Sequence, residues 1–482
     1  MKGLRYMRKL LIQSTTQLQM LMDITDGELN NVLFQNRDDY HVGDIFLGTV
    51  KNVDQRIGAA FVNLPEGDVA YLALGKNSAD QKVHNGQKII VQVIQTPRQS
   101  KTVTVTKHIE WKNEWFVYSP FGNGCKVSSK LNEEEKDRLQ QYWKSLKMDG
   151  GVTIRTAAQG IDFDEFSKVL QNLNSKWREL EQVASDEKKP KLIVRGPNVW
   201  DDFLSRLSLE EIDEIVVDST ELKQHAKQRH YRLAEKIKFD RLFFNHKPFD
   251  MATLIERLTT RHVPLKNGAN LTVDRTEAFT VIDVDTGSFR HQGSPQTMVR
   301  QVNSEAARES LRQLRLRQSS GAIIIDFINM ASKKDQQEIL SIMKEEIRKD
   351  SIPIHIVGFT KLGFLELTRK RVYPDVYTQF GVTLNHQLNS DEYFRYKIEE
   401  DLLMHKTNTA DVVHLDVGTV AERGIFSKDY LKNLNEKHNF HFELYLTENL
   451  SLQKPYQLYK IGEAEWLLNR LQKQGKKVDK LF

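Results

Sequence analysis

Three aspartates stand where two short apolar runs end. Asp283 and Asp285 follow the run 278–282, and Asp326 follows the run 322–325. Carboxylate oxygens are the ligands that Mg²⁺ and Mn²⁺ prefer, and water and substrate phosphates often complete such sites. Three carboxylates brought close together would also raise one another's pKa. These residue types predict an oxygen-ligand metal site, with solvated acids at strand ends as the alternative.

Two strands and a helix must position these acids. Each apolar run is short and rich in β-branched residues, which predicts a strand buried on both faces of a sheet. Residues 296–318 predict a helix between the two strands. The helix is expected to turn Val299, Val302, Ala306 and Leu314 inward, and to carry Arg308, Arg312 and Arg315 on another face. A strand, a helix and a parallel strand would bring both acidic ends to one edge of the sheet.

The composition is that of an ordinary globular protein. The 482 residues allow about three or four domains, and 39% are hydrophobic and 28% charged. The 70 basic and 65 acidic residues leave a net charge of +5, so the charge alone does not indicate a nucleic-acid partner. Cys125 is the single cysteine, which excludes an intramolecular disulfide framework and agrees with a cytoplasmic location. No apolar stretch reaches the length of a membrane helix, and the N-terminus predicts a strand rather than a signal peptide.

Residues 42–109 form short alternating segments separated by glycines, without a long helix. The segments 44–53, 59–64, 88–95 and 101–107 predict the strands of a small closed barrel of the OB type. Such barrels often bind single-stranded nucleic acid through aromatic and basic side chains. The candidates are Phe61, Tyr71, Arg98 and Lys101. The alternative for both aromatic residues is a place in the barrel core.

The next stretch, 114–190, predicts two helices, at 132–147 and 162–185, and a strand-like piece at 152–158. Arg155 and Thr156 lie in that piece, between Gly150-Gly151 and Gly160. Arginine and threonine are natural phosphate ligands, so this segment is a candidate phosphate site. An ordinary surface charge at Arg155 is the alternative.

Further elements are predicted on both sides of the acidic strands. Short strands are expected at 192–194 and 214–218. A helix is expected at 332–349 and a third buried strand at 352–359. The chain ends with a helix at 463–474 and a basic tail.

Several of these segments together resemble the ribonuclease E/G family. They are 278–288, 312–317 and 321–330, preceded in the family's order by the barrel segment 59–62 and by 154–157. The resemblance covers roughly residues 7–380. It implies a multidomain α/β protein with an OB-fold RNA-binding barrel inserted in an RNase H-like domain. A deoxyribonuclease-I-like α/β catalytic domain would follow the RNase H-like domain.

The domain boundaries implied by the resemblance are as follows. Residues 1–39 and 192–262 would form the split RNase H-like domain, 40–112 the barrel, 113–191 a 5′-phosphate sensor, 263–380 the catalytic domain and 381–482 a small C-terminal domain.

The resemblance also implies an activity. The family cleaves single-stranded RNA internally, often at AU-rich sites and with stimulation by a 5′ monophosphate, in RNA processing and mRNA decay. Asp283 and Asp326 fall on its Mg²⁺ ligands, and Asp285 falls on a neighbouring catalytic position. Phe61 and Tyr71 fall on base-contacting aromatics, and Arg155 and Thr156 on the phosphate sensor. Arg312 and Arg315 could neutralise RNA phosphates, with a solvated helix face as the alternative.

Four departures from the family pattern are visible. Asp285 and Asn329 stand where the family commonly has asparagine and aspartate, and Pro353 aligns with an arginine of the sensor pocket. The segment 381–387 lacks the cysteines that share zinc between subunits, so no zinc is expected and any homo-oligomer would form without a zinc link.

Two other functions compete with the nuclease. One is an RNA-binding or ribosome-associated protein of the same fold with little or no cleavage activity. The other is a metal-dependent phosphoesterase acting on small molecules, which would leave the barrel without a role.

Overall fold

The chain forms two compact units, which are residues 1–37 with 207–482, and residues 38–206. The computed structural model describes residues 7–37, 39–75, 83–96, 102–113, 115–205, 207, 211–289, 294–330, 332–380, 391–406, 412–418, 426–449, 451–452, 454–461 and 464–482. Within these ranges, none of the helices has the length and apolar character needed to span a bilayer.

Three antiparallel strands begin the first unit: β1 (Arg8–Ser14), β2 (Leu18–Thr25) and β3 (Glu28–Asn36). Asp26 and Gly27 connect β2 to β3, with φ angles of 51° and 79°. Two positive φ angles in a two-residue loop are typical of a type I′ turn, for which Asp-Gly is a favoured sequence. Local sequence therefore fixes this hairpin, and its buried Met20, Met22 and Phe34 contribute to the core of the unit.

The second unit begins with a closed barrel. Its strands are β4 (Ile45–Asp54), β5 (Ala59–Asn63), β6 (Val69–Ala73), β7 (Lys88–Gln95) and β8 (Thr104–Thr106). Strand β4 pairs with both β5 and β7, and β8 joins β6 to β7, so the ring is complete. A Cβ on Gly48 would lie 2.4 Å from Cγ1 of Val62, so glycine permits the close packing of β4 against β5. The predicted small closed barrel is confirmed; it has five strands and is consistent with an OB-fold.

A four-stranded sheet and two helices follow the barrel. The strands are β9 (Trp111–Lys112), β10 (Phe116–Ser119), β11 (Gly124–Val127) and β12 (Gly151–Ile154), in the order β11-β12-β10-β9. The helices are α1 (Glu133–Leu146) and α2 (Phe163–Asp186), close to the predicted bounds. The predicted strand at 152–158 ends at Ile154, and a 3₁₀ turn (Thr156–Ala158) follows it after Arg155.

The strand β13 (Lys191–Val194) corrects one predicted domain boundary. It pairs antiparallel with β4 of the barrel, and helix α3 (Val199–Leu204) follows it within the second unit. The expectation that the split domain resumes at residue 192 is therefore wrong for this strand. A four-residue strand carries too little pattern to identify its sheet, because only pairing decides that.

The chain then returns to the first sheet. It adds β14 (Glu214–Val217), α4 (Thr220–Arg229), β15 (Ile237–Phe239), α5 (Phe243–His246) and α6 (Met251–Thr259), with a 3₁₀ segment (Tyr231–Lys236) before β15. Strand β14 runs parallel to β1, and β15 runs parallel to β14. The sheet order is β15-β14-β1-β2-β3.

The predicted acids lie in a second, six-stranded sheet of the first unit, here called the aspartate sheet. Its elements are β16 (His262–Pro264), β17 (Asn270–Arg275), β18 (Phe279–Asp285), α7 (Pro295–Arg317), β19 (Gly321–Asp326), α8 (Lys333–Ile347), β20 (Ile354–Phe359) and β21 (Leu365–Arg369). The strand order is β16-β17-β18-β19-β21-β20, and only β18 and β19 among these strands are parallel to each other. The predicted strand, helix and parallel strand are confirmed.

Two expectations for this sheet are wrong. Strand β18 is buried on one face only, since Thr280, Ile282 and Val284 are buried whereas Asp283 and Asp285 are exposed. The strand at 354–359 lies at the sheet edge with partial burial, rather than buried as a third central strand. An apolar run cannot show whether a second layer covers its other face, because that depends on the rest of the chain.

The remainder of the first unit contains α9 (Val376–Gln379), α10 (Asp391–Met404) and a four-stranded sheet. That sheet has β22 (Val412–Val417), β23 (Glu443–Glu448), β24 (Tyr456–Ile461) and β25 (Val478–Lys480), with helices α11 (Lys428–His438) and α12 (Ala464–Lys473). Its order is β24-β22-β23-β25, and all six residues of β22 are buried. The predicted C-terminal helix at 463–474 is confirmed as α12.

Candidate functional site

Asp283 and Asp326 face each other across the parallel pair. The register aligns Asp283 with Asp326 at the carboxyl ends of β18 and β19. Because side chains alternate along a strand, Ile282 and Ile325 point into the core while both aspartates point to the other face. Within the described residues, neither carboxylate has a hydrogen-bonding or ion-pairing partner. Two outward carboxylates from neighbouring strands therefore share one small region.

Burial and a neighbouring charge disfavour ionisation of Asp326. Partial burial raises the pKa of Asp326, and the nearby negative charge of Asp283 raises it further. A cation between the two carboxylates would relieve this repulsion. Both groups offer oxygen atoms only, which suits Mg²⁺ or Mn²⁺ held by two carboxylates with water and phosphate as further ligands. The donor set thus fits the divalent ion that the sequence predicts.

The third predicted acid does not join the pair. Pairing of β18 with β19 ends at Asp283, so Asp285 lies opposite Asn270 of β17 instead. Oδ1 of Asp285 accepts hydrogen bonds from Nδ2 of Asn270 at 3.3 Å and from the backbone N–H of Gly287 at 2.7 Å. Among the described residues, no group of three or more His, Cys, Asp or Glu side chains is arranged to hold a metal. The expectation of three crowded carboxylates is therefore corrected to a pair.

Strand β17 supplies residues that sequence reasoning missed. Thr272 lies opposite Asp283, and its hydroxyl is 3.3 Å from Nδ1 of His262 on β16. His262, Thr272, Asp283 and Asp326 therefore form one row across four strands. The polar residues Asn270, Thr272 and Asp274 alternate with buried Leu271 and Val273, and this period of two could have identified the strand and its exposed face.

Asn303 of α7 supports the chain just beyond Asp326. Its side chain is fully buried, and its amide donates to the carbonyl of Ile328 at 2.8 Å and accepts from the Ile328 N–H at 3.1 Å. Asn329, where the family pattern has aspartate, is exposed. Asn303 thus holds the backbone two residues beyond Asp326. In the sequence, Asn303 is recognisable as a polar residue next to Val302, one of the predicted inward positions of α7.

The three arginines predicted to form an exposed basic face on α7 do not all face the solvent. Arg315 is only 5% exposed, and burial lowers its pKa. Arg312 donates to both oxygens of Glu309, at 2.8 and 2.9 Å, and to the carbonyl of Leu29 at 2.5 Å. Arg308 is exposed and donates to Ser304 of its own helix. Arg315 is therefore corrected to a buried residue, and Arg312 is held by partners within the unit.

The two barrel aromatics lie outside the barrel core. Phe61 and Tyr71 are register partners on β5 and β6, and their rings meet edge to face with centroids 6.1 Å apart. Both are partly exposed, whereas their neighbours Ala60, Val62, Ala70 and Leu72 fill the interior. The core alternative is therefore excluded for these rings. The predicted basic partners, Arg98 and Lys101, lie outside the described residues.

The predicted phosphate segment lies where β12 ends. The backbone N–H of Arg155 donates to the carbonyl of Trp115 at 2.7 Å, and the Arg155 side chain is partly exposed. The hydroxyl of Thr156 is exposed and lies 2.8 Å from the hydroxyl of Ser128. Ser128 is in turn anchored by its N–H to the carbonyl of Ile154 at 2.9 Å. Ser128 is a further polar residue of this segment that the sequence reasoning missed.

Two remaining expectations concern the C-terminal part. Pro353 is exposed, and its carbonyl accepts the backbone N–H of Lys370 at 2.9 Å. The segment 381–387, which lacks the zinc-sharing cysteines, lies outside the described residues.

Comparisons with known proteins identify similar ribonucleases. The model of the ribonuclease E/G family matches residues 112–372, more than half of the chain, including both aspartates of the pair and Arg155-Thr156. A ribonuclease E of Synechocystis is 34% identical over 366 residues, which cover 70% of this chain and 54% of that protein. The ribonuclease G of Escherichia coli K12 is 28% identical over 372 residues, covering 70% of this chain and 74% of that protein.

A ribonuclease E of Haemophilus influenzae aligns with almost the whole chain. It is 24% identical over 502 residues, which cover 95% of this chain and 52% of that protein. The chain therefore spans about half the length of the ribonuclease E relatives that it matches.

Proposed function

The chain belongs to the ribonuclease E/G family, and from this premise we propose that it is a divalent-metal-dependent endoribonuclease that cleaves single-stranded RNA. The observation that carries the proposal is the register pair Asp283 and Asp326 on the exposed face of the aspartate sheet. Both residues lie within the part of the chain that the family model matches. The relatives are ribonucleases by name, and the pair supplies the ligands that such chemistry needs.

Asp283 and Asp326 are the proposed ligands for Mg²⁺ or Mn²⁺. Bound there, such an ion would polarise the scissile phosphate and lower the pKa of a bound water. The two aspartates hold it through oxygen atoms only and leave further positions for water and phosphate oxygens. Hydrolysis adds the water oxygen to phosphorus and breaks the bond to O3′, so the products are a 5′ phosphate and a 3′ hydroxyl.

The barrel aromatics are the proposed platform for unpaired bases. Phe61 and Tyr71 present partly exposed rings outside the barrel core. Stacking of a base on such a ring contributes about 1–3 kcal/mol. A duplex cannot offer its bases in this way without losing pairing, so the platform favours single-stranded RNA. An AU-rich preference would follow from the weak pairing of such segments.

Arg155, Thr156 and Ser128 are the proposed site for a 5′ monophosphate. A guanidinium and two hydroxyls are suitable donors to phosphate oxygens. The hydroxyl contact between Thr156 and Ser128 supports a shared orientation of these donors. The sensing of the 5′ end, and roles in RNA processing and mRNA decay in the cytoplasm, come to this chain from the family resemblance.

The finer fold assignments are also proposals. The order β3-β2-β1-β14-β15, interrupted between β3 and β14 by residues 38–206, supports a split RNase H-like domain. The mixed aspartate sheet supports the deoxyribonuclease-I-like assignment of residues 263–380. A homo-oligomer, if formed, would lack the zinc link because the chain has Cys125 alone.

An RNA-binding protein without turnover is the second candidate. It is favoured by the departures at Asp285 and Asn329 from the residues that are common in the family. On this reading the barrel still binds RNA, but no metal-dependent cleavage occurs.

Cleavage of a labelled, 5′-monophosphorylated, AU-rich RNA decides between these functions. Wild type, Asp326→Asn and Asp283→Asn are assayed with Mg²⁺ and with chelator. We expect internal cuts by wild type with Mg²⁺ only, and at least about a 10³-fold loss in each variant with RNA binding retained. Glu338→Gln, an exposed acid on α8, is the matched control and should cut normally. RNA binding without cleavage by wild type would favour the second candidate.

A further inference from the structure

A carboxamide and a carboxylate form a pair beside the metal ligands. Asn270 and Asp285 are register partners on β17 and β18, and the amide Nδ2 of Asn270 donates to Oδ1 of Asp285 at 3.3 Å. Asp285 is two residues beyond Asp283, so both side chains lie on the same sheet face, about 7 Å apart along the strand. Asn270 likewise shares this face with Thr272, which lies opposite Asp283.

The loop after β18 leaves space for the side-chain amide of Asn270. Gly287 has a φ of +49°, and a Cβ at this position would lie 2.4 Å from Nδ2 of Asn270 and 2.6 Å from the carbonyl of Gly268. The N–H of Gly287 donates to the same Oδ1 atom of Asp285 that Asn270 contacts. The N–H of Ser288 donates to the carbonyl of Gly268 at 2.9 Å and attaches the loop to the turn before β17. Glycine at 287 therefore makes room for the Asn270 side chain.

The charge of Asp285 and the amide donors of Asn270 determine how this pair can interact with RNA. A carboxylate repels a phosphate, so Asp285 by itself would disfavour the substrate. The amide of Asn270 has two N–H donors, and Asp285 occupies one of them. The second donor can therefore contact a phosphate oxygen.

We propose that Asn270 is a substrate-contacting residue whose amide donates to a phosphate oxygen of the RNA beside the metal pair, and that Asp285 is the residue that positions it. This inference rests on the proposed nuclease function for its link to cleavage. The ligand class is the RNA phosphodiester backbone, because Asn270 lies beside the proposed metal ligands, where the scissile phosphate would bind. Asp285 acts through Asn270 and does not bind the metal.

Exchange of the two residues tests the proposal. In Asn270→Asp, two carboxylates face the phosphate, and we expect kcat/KM to fall about 10- to 100-fold, chiefly through a higher KM. The double variant Asn270→Asp with Asp285→Asn restores an amide and a carboxylate in reversed places. Asparagine at 285 keeps an acceptor for the Gly287 N–H, so most of the activity should return.

Two binding measurements separate this contact from the metal. RNA affinity in chelator, measured by fluorescence anisotropy with a single-stranded oligonucleotide, should weaken in Asn270→Asp and recover in the double variant. Mn²⁺ affinity without RNA, measured by electron paramagnetic resonance, should be unchanged within about twofold in these variants and lost in Asp283→Asn. Glu338→Gln, at an exposed acid on α8, controls for the removal of one charge in Asp283→Asn.

Three outcomes would overturn the contact. They are a wild-type KM in Asn270→Asp, a double variant no better than Asn270→Asp, and a Mn²⁺ affinity that changes severalfold. If wild type binds RNA but never cleaves it, the proposed function fails while the anisotropy series still judges Asn270. A weakened Asn270→Asp and a recovered double variant would then support the contact in a protein that only binds RNA.

Discussion

Strand alternation and strand register bring Asp283 and Asp326 to one face of the aspartate sheet. The carboxylate of Asp218 lies in a different, more buried environment. Asp218 comes directly after β14, and its Oδ2 accepts the backbone N–H of Ser14 at 2.7 Å. Part of the residue reaches the surface, but Oδ1 is buried. Burial raises the pKa of Asp218 from 3.8 to about 6. Asp218 is thus protonated more readily in the folded protein than in the unfolded chain.

The direction of this shift predicts a pH-dependent stability. Between pH 3.8 and about 6 the folded state binds more protons than the unfolded state, so Asp218 makes the free energy of unfolding fall as pH rises. The full difference is roughly 3 kcal/mol, at about 1.4 kcal/mol per pKa unit. Asp218→Asn removes this titration and keeps an acceptor for Ser14. The variant should therefore gain stability over wild type as pH rises from 4 to 7.

Urea midpoints at pH 4.5 and 7.5, followed by amide exchange in β1 and β14, measure this gain. The variant Glu338→Gln, which changes an exposed acid, is the control and should show no such trend. An equal stability difference at both pH values would refute the role of Asp218.

The bounds of helix α7 are predicted from the sequence, but the contacts of its arginine side chains are not. Its predicted bounds of 296–318 agree with the observed Pro295–Arg317. Yet Arg317 is fully buried and donates to Gln313, to the hydroxyl of Tyr377 and to the carbonyl of Thr260. Arg312 reaches the carbonyl of Leu29 on β3. The helix arginines therefore attach α7 to its neighbours within the first unit.

Arg312→Ala should therefore affect stability and not RNA binding. The change removes the Arg312 donor to the Leu29 carbonyl and two of the hydrogen bonds to Glu309, which keeps the one from Gln313, so we expect a loss of about 1–2 kcal/mol in the free energy of unfolding. RNA affinity should stay within about twofold of wild type. Arg308→Ala, at an exposed position on the same helix, should change stability by less than about 0.5 kcal/mol. Weaker RNA binding by Arg312→Ala at unchanged stability would instead support a phosphate contact.

At the scale of the whole molecule, the two proposed RNA-recognising features and the metal pair belong to different units. Phe61, Tyr71 and Arg155 lie in residues 38–206, and the pair Asp283 and Asp326 lies in the other unit. The smaller unit is inserted between β3 and β14 of the larger one. Recognition of a 5′ end and cleavage can therefore be tested as separable functions.

Arg155→Ala should remove the preference for a 5′ end without stopping cleavage. Wild type should cut monophosphorylated RNA faster than hydroxyl-ended RNA, by about tenfold for one charged hydrogen bond of roughly 1.5 kcal/mol. The variant should cut both substrates at the slower rate, because the metal pair is unchanged. Single-turnover rates on the two RNAs measure this difference, with the exposed Lys168→Ala on α2 as the control. Equal wild-type rates on both RNAs would show that the segment senses no phosphate.

The sequence by itself determined the local structure of this protein and the residue types at its candidate site. Apolar periodicity gave the helix and the two parallel strands, Asp-Gly fixed a turn, and aspartates at the strand ends supplied the proposed metal ligands. These features depend on interactions between residues close in the chain, so a single sequence reveals them.

Only the tertiary structure decided which of these residues act together. Strand register places Asp283 opposite Asp326, and it places Asp285 opposite Asn270. Packing buries Arg315 and leaves one face of β18 exposed. Register and burial are set by partners far away in the chain, which a local pattern does not contain.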